Sequence, residues 1–172
     1  TVFDPDDTLG QKQFAGDEEV EIGVEVPGGQ SPANFKFAML KNTDMRHQGA
    51  QKAKTYTFHM CSPEFLKGQA TAVDKSWNKQ THEIVKDIVK DYWMSDKEVE
   101  VEETDSKTRF IGNGHPPHKV LDMLKNRHVS KSNKSSAYTL FETRDGNGKQ
   151  KFKFVTFEKL MQNKGSSSNT YK

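Results

Sequence analysis

The segment from Ser136 to Met161 constrains the fold more than any other part of the chain. Its residues 138–143 and 151–156 both alternate with period two, and Asp145-Gly146-Asn147-Gly148, a set that tolerates positive φ, lies between them. Such alternation on both sides of a short turn is the strongest local signal for a β-hairpin. Thr156 is a suitable N-cap for a short helical turn over Phe157–Met161. The sequence therefore predicts a hairpin followed directly by a helix.

The first sixty residues contain three more alternating stretches, at residues 20–26, 35–40 and 56–60. Alternation predicts half-buried strands, and three strands joined by loops indicate an antiparallel meander, which is half of a small barrel or sandwich. A meander this short needs more strands or a partner to bury its apolar face. Residues 1–16 are interpreted as a loop or a weak edge, and residues 41–54, which are polar and aperiodic, as a long loop.

The pattern becomes helical after residue 60. Ser62 is a suitable N-cap for a short helix that begins at Pro63 and ends near Gly68. The best amphipathic stripe in the chain predicts a second helix over residues 81–94, and a third is predicted from the Pro116-Pro117 entry to about Arg127. Between the last two, the alternation of Glu98–Glu102 predicts a short strand.

Bulk charge and cysteine content restrict the function only weakly. The 172 residues contain 26 Lys and Arg against 24 Asp and Glu, so the net charge identifies no nucleic-acid partner. The basic stretch Lys125–Lys134 is interpreted as a solvated loop. Cys61 is the only cysteine, which excludes an intramolecular disulfide. We find no apolar run of membrane-spanning length and no signal peptide, and because the chain starts at Thr1 we expect a processed product or an excised piece.

No constellation in the sequence carries a recognisable chemistry. His115 and His118 flank two prolines without a metal-binding spacing, and a rigid helix entry is the better account. Glu98, Glu100 and Glu102 could hold a cation on one strand face, but a solvated edge is favoured. The sequence has no GxSxG elbow and no phosphate-binding glycine loop. We therefore expect no enzyme activity, no cofactor and no metal, and we interpret three aromatic residues as core: Trp77, Tyr92 and Trp93.

The order of the segments resembles a known family. A Gly-Asp-Glu-Glu-Val-Glu-Ile strand at residues 16–22 is followed by Asn-Phe-Lys-Phe and by a Tyr-Thr-Phe-His-Met strand that runs into Cys-Ser-Pro-Glu-Phe-Leu at residue 66. A His-Glu-Ile-Val-Lys-Asp-Ile-Val helix, a Pro-Pro-His-Lys-Val-Leu helix and the closing hairpin come next. This series resembles the baseplate hub proteins of contractile phage tails, whose relatives include the spike proteins of type VI secretion. The likeness extends over residues 16–161.

The resemblance implies a fold and an assembly. The fold is α+β: a partial antiparallel β-barrel at residues 1–60, tube-like in the family, followed by an α+β hub domain of helices and a β-hairpin at residues 61–162 and by a flexible tail or linker at 163–172. The assembly is a homotrimer in the tail baseplate of a virion, made in the host cytoplasm, that joins the tail tube to the central spike. The opening strands are shorter than the family pattern and no second barrel follows residue 161, so we expect a fragment.

On this interpretation the contacts between subunits involve exposed barrel edges, with no membrane and no specific nucleic acid as partners. Two alternatives remain open. One is a virion-associated hydrolase of cell wall or nucleic acid that uses the acidic strand near His115 and His118, and the other is a nucleic-acid-binding module that acts through Lys125–Lys134. We predict that the interface of the hub includes Val20, Ile22, Phe35, Phe37, Tyr56 and Phe58.

Overall fold

A computed structural model of the protein describes residues 1–6, 8–9, 11, 18–24, 33–47, 54–145 and 149–162. The chain divides into two compact units, Thr1–Leu66 (unit 1) and Lys67–Lys172 (unit 2). Helices and strands are mixed, and the strands of unit 1 form a curled antiparallel half-barrel. The predicted α+β class with a partial β-barrel is therefore confirmed.

Unit 1 is built on one antiparallel sheet of four strands. The strands are β1 (Val2–Asp4), β2 (Glu19–Val24), β3 (Ala33–His47) and β4 (Lys54–Cys61). Their order in the sheet is β1-β4-β3-β2, so β1 and β2 are the two edges. The edge predicted within the first sixteen residues is the short β1, which pairs with β4.

The predicted loop over residues 41–54 is wrong for its first half. Residues 41–47 continue β3, which is 15 residues long and pairs with β4 as far as His47. The register shifts between Met39 and Lys41 and again between Asn42 and Asp44. Each irregularity adds one residue of β3 that has no partner in β4, and such a bulged register cannot be read from local periodicity. Residues 48–53, and the last two residues of the strand predicted at 20–26, lie outside the described residues.

Unit 2 combines helices with two small sheets. Helix α1 (Pro63–Gln69) spans the division between the units, and the hydroxyl of Ser62 accepts the Phe65 N–H at 3.3 Å, as predicted for its N-cap. The sheets have strand orders β5-β7 and β6-β9-β8. The remaining elements are β5 (Ser76–Gln80), α2 (Thr81–Asp91), β6 (Glu98–Val101), β7 (Lys107–Ile111), α3 (Pro117–Lys125), β8 (Tyr138–Arg144), β9 (Gln150–Thr156) and α4 (Phe157–Gln162).

The predicted hairpin is confirmed. Strands β8 and β9 pair from Tyr138 opposite Thr156 to Arg144 opposite Gln150. The Asp145 N–H donates to the Lys149 carbonyl at 3.0 Å, while residues 146–148 of the turn and the predicted tail at 163–172 lie outside the described residues. The Thr156 hydroxyl accepts the Lys159 N–H at 3.3 Å, so Thr156 caps α4 as predicted.

The core of unit 2 lies between α2, α3 and the hairpin. Ile88 on α2 and Leu124 on α3 are fully buried, and the ring of Tyr138 stacks on Phe154 at 4.6 Å. Strand β5, which the sequence did not reveal, contributes the buried Trp77 opposite Phe110 of β7. The core assignment of the aromatic residues is confirmed, because Trp77 and Trp93 are buried and Tyr92 packs against the same cluster.

Candidate functional site

The β2–β3 pair carries four of the six residues predicted to form an interface. Val20 lies opposite Phe37 and Ile22 lies opposite Phe35 across the ladder. The two phenylalanine rings stack with centroids 6.4 Å apart. Ile22 remains 37% exposed and Val24 46% exposed, so this apolar face is incompletely covered. Exposed apolar side chains clustered on one sheet are typical of a contact surface.

The hydrogen bonds of β2 leave its outer edge open within the described residues. The Met39 N–H donates to the Glu18 carbonyl at 3.1 Å. Because bonded and non-bonded pairs alternate along an antiparallel ladder, Val20 and Ile22 bond to β3 while Glu19, Glu21 and Gly23 direct their N–H and C=O groups outward. No strand of the described chain pairs with that outer side. A row of outward backbone groups can pair with another chain.

The remaining two predicted residues lie on β4. Tyr56 is only 2% exposed and its ring stacks on that of Phe58 at 6.1 Å with an interplanar angle of 8°. Tyr56 therefore supports the sheet from within, and Phe58 is half-buried. The predicted set is thus divided between an open edge strand pair and an interior strand, and its role in an interface stays a prediction.

The acidic strand differs from the predicted solvated edge. Strand β6 pairs in parallel with β9. Glu100 on β6 forms salt bridges with Lys151, at 2.6 Å, and with Lys153, at 3.3 Å. The hydrogen bond from Lys151 lowers the pKa of Glu100 below its usual value. Glu102, directly after β6, is 3% exposed. The solvated-edge prediction is therefore wrong for Glu102, because partners distant in the sequence cover it.

Glu102 is the centre of a buried hydrogen-bond cluster that sequence reasoning missed. Its Oε1 accepts from Ser130 Oγ at 2.5 Å and from Ser132 Oγ at 2.9 Å, and its Oε2 accepts from the Thr156 N–H at 2.8 Å and from Thr156 Oγ1 at 2.9 Å. Burial alone would raise the pKa of Glu102, but these hydrogen bonds lower it below its usual value. The carboxylate thus ties the 130–132 segment to the start of α4.

A buried histidine lies beside the same segment. The Nδ1 atom of His82, on α2, accepts the Thr104 N–H at 3.0 Å and lies 3.2 Å from Thr104 Oγ1. Burial lowers the pKa of His82, which favours the neutral imidazole. Thr104 in turn forms a β-bridge with Ser130. These contacts hold neighbouring segments of unit 2 together, and they use up the acceptor that a metal or a substrate would need.

The residues of the hydrolase alternative lie on separate elements of unit 2. The His115 carbonyl accepts the Val73 N–H in an isolated β-bridge, and His118 is half-buried on α3. Burial raises the pKa of the Cys61 thiol, which opposes its activation as a nucleophile. Within the described part of the chain, no group of three or more His, Cys, Asp and Glu side chains is arranged to hold a metal ion.

The basic stretch of the nucleic-acid alternative is largely engaged with its own unit. Lys125 pairs with Asp122 at 2.6 Å, and Lys131 pairs with Glu103 at 3.0 Å. The guanidinium of Arg127 lies 5.5 Å from the centroid of the Phe110 ring. Cations neutralised by their own unit contribute little to the binding of phosphates.

No helix in the described residues combines the length and the apolar character needed to cross a bilayer.

Comparison with known proteins supports the fold. No family model and no curated protein sequence matches the chain. Among solved structures it is similar to the E. coli c3393 protein, described as a component of the type VI secretion system with structural similarity to T4 bacteriophage tail proteins gp27 and gp5. The TM-score is 0.50 over 78% of this chain at 9% identity, and the chain spans 36% of that protein. At this identity the likeness is one of fold, and it confirms the structural resemblance predicted above.

Proposed function

We propose that this chain is part of a structural hub subunit of a contractile-tail baseplate, which assembles as a homotrimer and joins the tail tube to the central spike. In this proposal unit 1 is the tube-like barrel domain and unit 2 is the hub domain, and the protein resides in the virion. The fold likeness to a protein that itself resembles tail proteins is the observation that carries the proposal.

The open side of β2 supplies the physical reason for assembly. Glu19, Glu21 and Gly23 present backbone donors and acceptors that a strand of a neighbouring copy can pair with, and Ile22 and Val24 offer apolar area beside them. Main-chain hydrogen bonds supply affinity in such strand addition, and side-chain contacts supply specificity. A head-to-tail contact of this kind closes into a ring when the rotation between copies allows it, and closure removes the exposed edges.

The environment of the ionisable residues favours a scaffold over an enzyme. Glu102 and His82 are engaged by backbone and hydroxyl groups of their own unit, and Glu100 is neutralised by two lysines. A general acid or base must reach a substrate with a free lone pair or proton. These groups instead fasten segments to one another, as a subunit that is held by its neighbours requires.

The experiment is sedimentation velocity of the purified chain, with two variants at Gly23. Gly23→Pro removes an outward N–H and leaves the hydrogen bonds of Ile22 with β3 in place, since proline is tolerated at an edge. Gly23→Ala is the matched control, because it also adds a Cβ, 3.2 Å from Asn34 Oδ1, yet keeps the N–H. We expect the unaltered chain and Gly23→Ala to form trimers. Gly23→Pro should lower the association constant at least about tenfold.

Two results would contradict the proposal. If the chain stays monomeric at every concentration, the homotrimer is rejected. If Gly23→Pro and Gly23→Ala have equal association constants, the role of the β2 edge is rejected. Co-sedimentation with purified tail-tube and spike proteins tests the joining role separately, and a trimer that retains neither protein would reject that role.

A further inference from the structure

A groove on unit 2 is lined by three lysines. It has a volume of about 420 Å³ and lies between the second half of α2 and the segment that leads into β6. Lys86, Lys90 and Lys97 line it together with Val89 and Val99, and we call this feature the lysine groove. Asp96 is the only carboxylate among the lining residues, so the lining carries an excess of positive charge.

Two of these lysines are available for a partner. Lys97 donates to Glu142 at 2.9 Å and lies 5.3 Å from the centroid of the Phe152 ring, so it is committed to its own unit. Lys86 and Lys90 are exposed and form no ion pair with any described residue. The acidic residues of the same helix have other partners, because Asp87 pairs with Lys79, Asp91 pairs with Lys75, and the Glu83 carboxylate accepts the Gln80 N–H.

The complementary surface lies on β2. Residues 1–26 are strongly acidic, with Lys12 as their only basic side chain. On β2 the side chains of Glu19 and Glu21 are exposed on the face opposite Val20 and Ile22. Lys36 lies across the ladder from Glu21, but neither glutamate forms an ion pair with a described residue. The chain thus carries both an acidic strand face and a basic helix face without partners among the described residues.

The spacing of the charges matches. Residues two apart on a strand are separated by about 6.8 Å, and residues four apart on a helix by about 6 Å along the axis. Glu19 and Glu21 can therefore approach Lys90 and Lys86 in register, with the two pairs formed side by side. Val99 is half-buried at the groove and Val89 is buried beneath it, and such apolar surroundings strengthen ion pairs relative to fully solvated ones.

We infer that the lysine groove of one copy binds the acidic face of β2 of a second copy, through paired contacts of Lys86 and Lys90 with Glu19 and Glu21. The inference rests on the proposed homotrimer and names a side-chain contact within it. A patch on unit 2 that meets a different patch on unit 1 is a head-to-tail contact, which is the type that closes a three-membered ring.

The test exchanges the charges and follows association by sedimentation velocity. Lys86→Glu with Lys90→Glu forms the first variant, Glu19→Lys with Glu21→Lys the second, and all four substitutions together the third. Lys107→Glu with Lys119→Glu is the control, because it changes the net charge by the same amount at exposed lysines outside the groove. Lysine and glutamate have similar helix propensities, so α2 is retained.

We expect the first and second variants each to lower the association constant at least about tenfold. The third variant should recover to within about threefold of the unaltered chain, and the control should associate as strongly as the unaltered chain. If reversal at the lysines matches the control while Gly23→Pro still abolishes trimers, the groove contact is rejected and the hub proposal stands. Two results would show that another acidic segment occupies the groove and would reject the assignment to β2. In the first, only the lysine variant weakens association; in the second, the variant with all four substitutions fails to recover association. A chain that never associates rejects both.

Discussion

The two units differ in how completely they bury their apolar residues. Unit 2 has a closed core in which Ile84, Ile88, Leu124 and Phe154 are all essentially inaccessible. The described residues of unit 1 bury Tyr56 and Met39 but leave apolar side chains exposed at both edges of the sheet, including Phe3 and Val24. Sheets of a few strands are marginal without cover. We therefore expect unit 2 to be stable by itself, and unit 1 to gain stability when its sheet is covered.

The largest expected effect separates the two cores. Phe154→Ala removes a ring that is 1% exposed and should lower the free energy of unfolding of unit 2 by about 4 kcal/mol. Phe37→Ala removes a half-buried ring from unit 1 and should leave that transition unchanged. Both tryptophans, Trp77 and Trp93, lie in unit 2, so urea unfolding followed by tryptophan fluorescence reports that unit alone.

The same measurement can overturn the comparison. If Phe37→Ala shifts the tryptophan transition as far as Phe154→Ala, the two units share their stability and the contrast in burial has no thermodynamic counterpart. If Phe37→Ala changes the free energy of unfolding of unit 2 by less than about 0.5 kcal/mol and also reduces association in sedimentation, the ring of Phe37 stabilises the assembly and not unit 2.

A somewhat smaller effect is expected from the buried carboxylate. Glu102→Ala removes the carboxylate that accepts hydrogen bonds from Ser130 Oγ, Ser132 Oγ and the Thr156 N–H, and it should lower the stability of unit 2 by about 3 kcal/mol in the same assay. Glu103→Ala is the neighbouring control. Its side chain is 61% exposed and pairs with Lys131 at the surface, so we expect the unfolding transition of this variant to match that of the unaltered chain. Equal losses in the two variants would contradict the structural role of Glu102.

The smallest effect concerns pH. Burial lowers the pKa of His82, and also that of His128, so the unfolded chain binds protons at a higher pH than the folded one. Stability is then fully present above the ordinary histidine pKa and declines as pH falls through the lowered pKa of the folded state. His82→Asn keeps an acceptor for the Thr104 N–H and should flatten the pH dependence of the tryptophan-monitored unfolding free energy, with the residual slope due to His128. An unchanged slope would exclude His82 as its source.

The elements that the sequence predicted well are those with strong local periodicity. The hairpin of β8 and β9, the amphipathic α2 and the cap at Thr156 all follow from neighbours in the chain, and all are found. Strand β5 was missed because Ser76–Gln80 has a single buried side chain, Trp77, and no alternation of apolar residues. Its identity as a strand depends on pairing with β7, about thirty residues later.

The errors at the candidate sites have the same origin. The burial of Glu102 depends on Ser130 and Thr156, which are distant from it in the sequence. The period-two spacing of the glutamates on β6 does not indicate these partners. The extension of β3 depends on a bulged register with β4. Local spacing therefore predicted β2, β4, the first part of β3 and the apolar residues on them, but it could not predict which backbone groups face outward or which carboxylate is enclosed.

The parallel pairing of β6 with β9 has a consequence for synthesis. Val99 lies opposite Phe152, and Val101 lies opposite Phe154, so the middle strand of this sheet emerges from the ribosome some fifty residues after its first neighbour. Contacts between such distant residues form late and slowly. The nascent chain thus exposes the apolar side of α2 and β6 until the hairpin has been translated, and we expect chaperones to engage it in that interval.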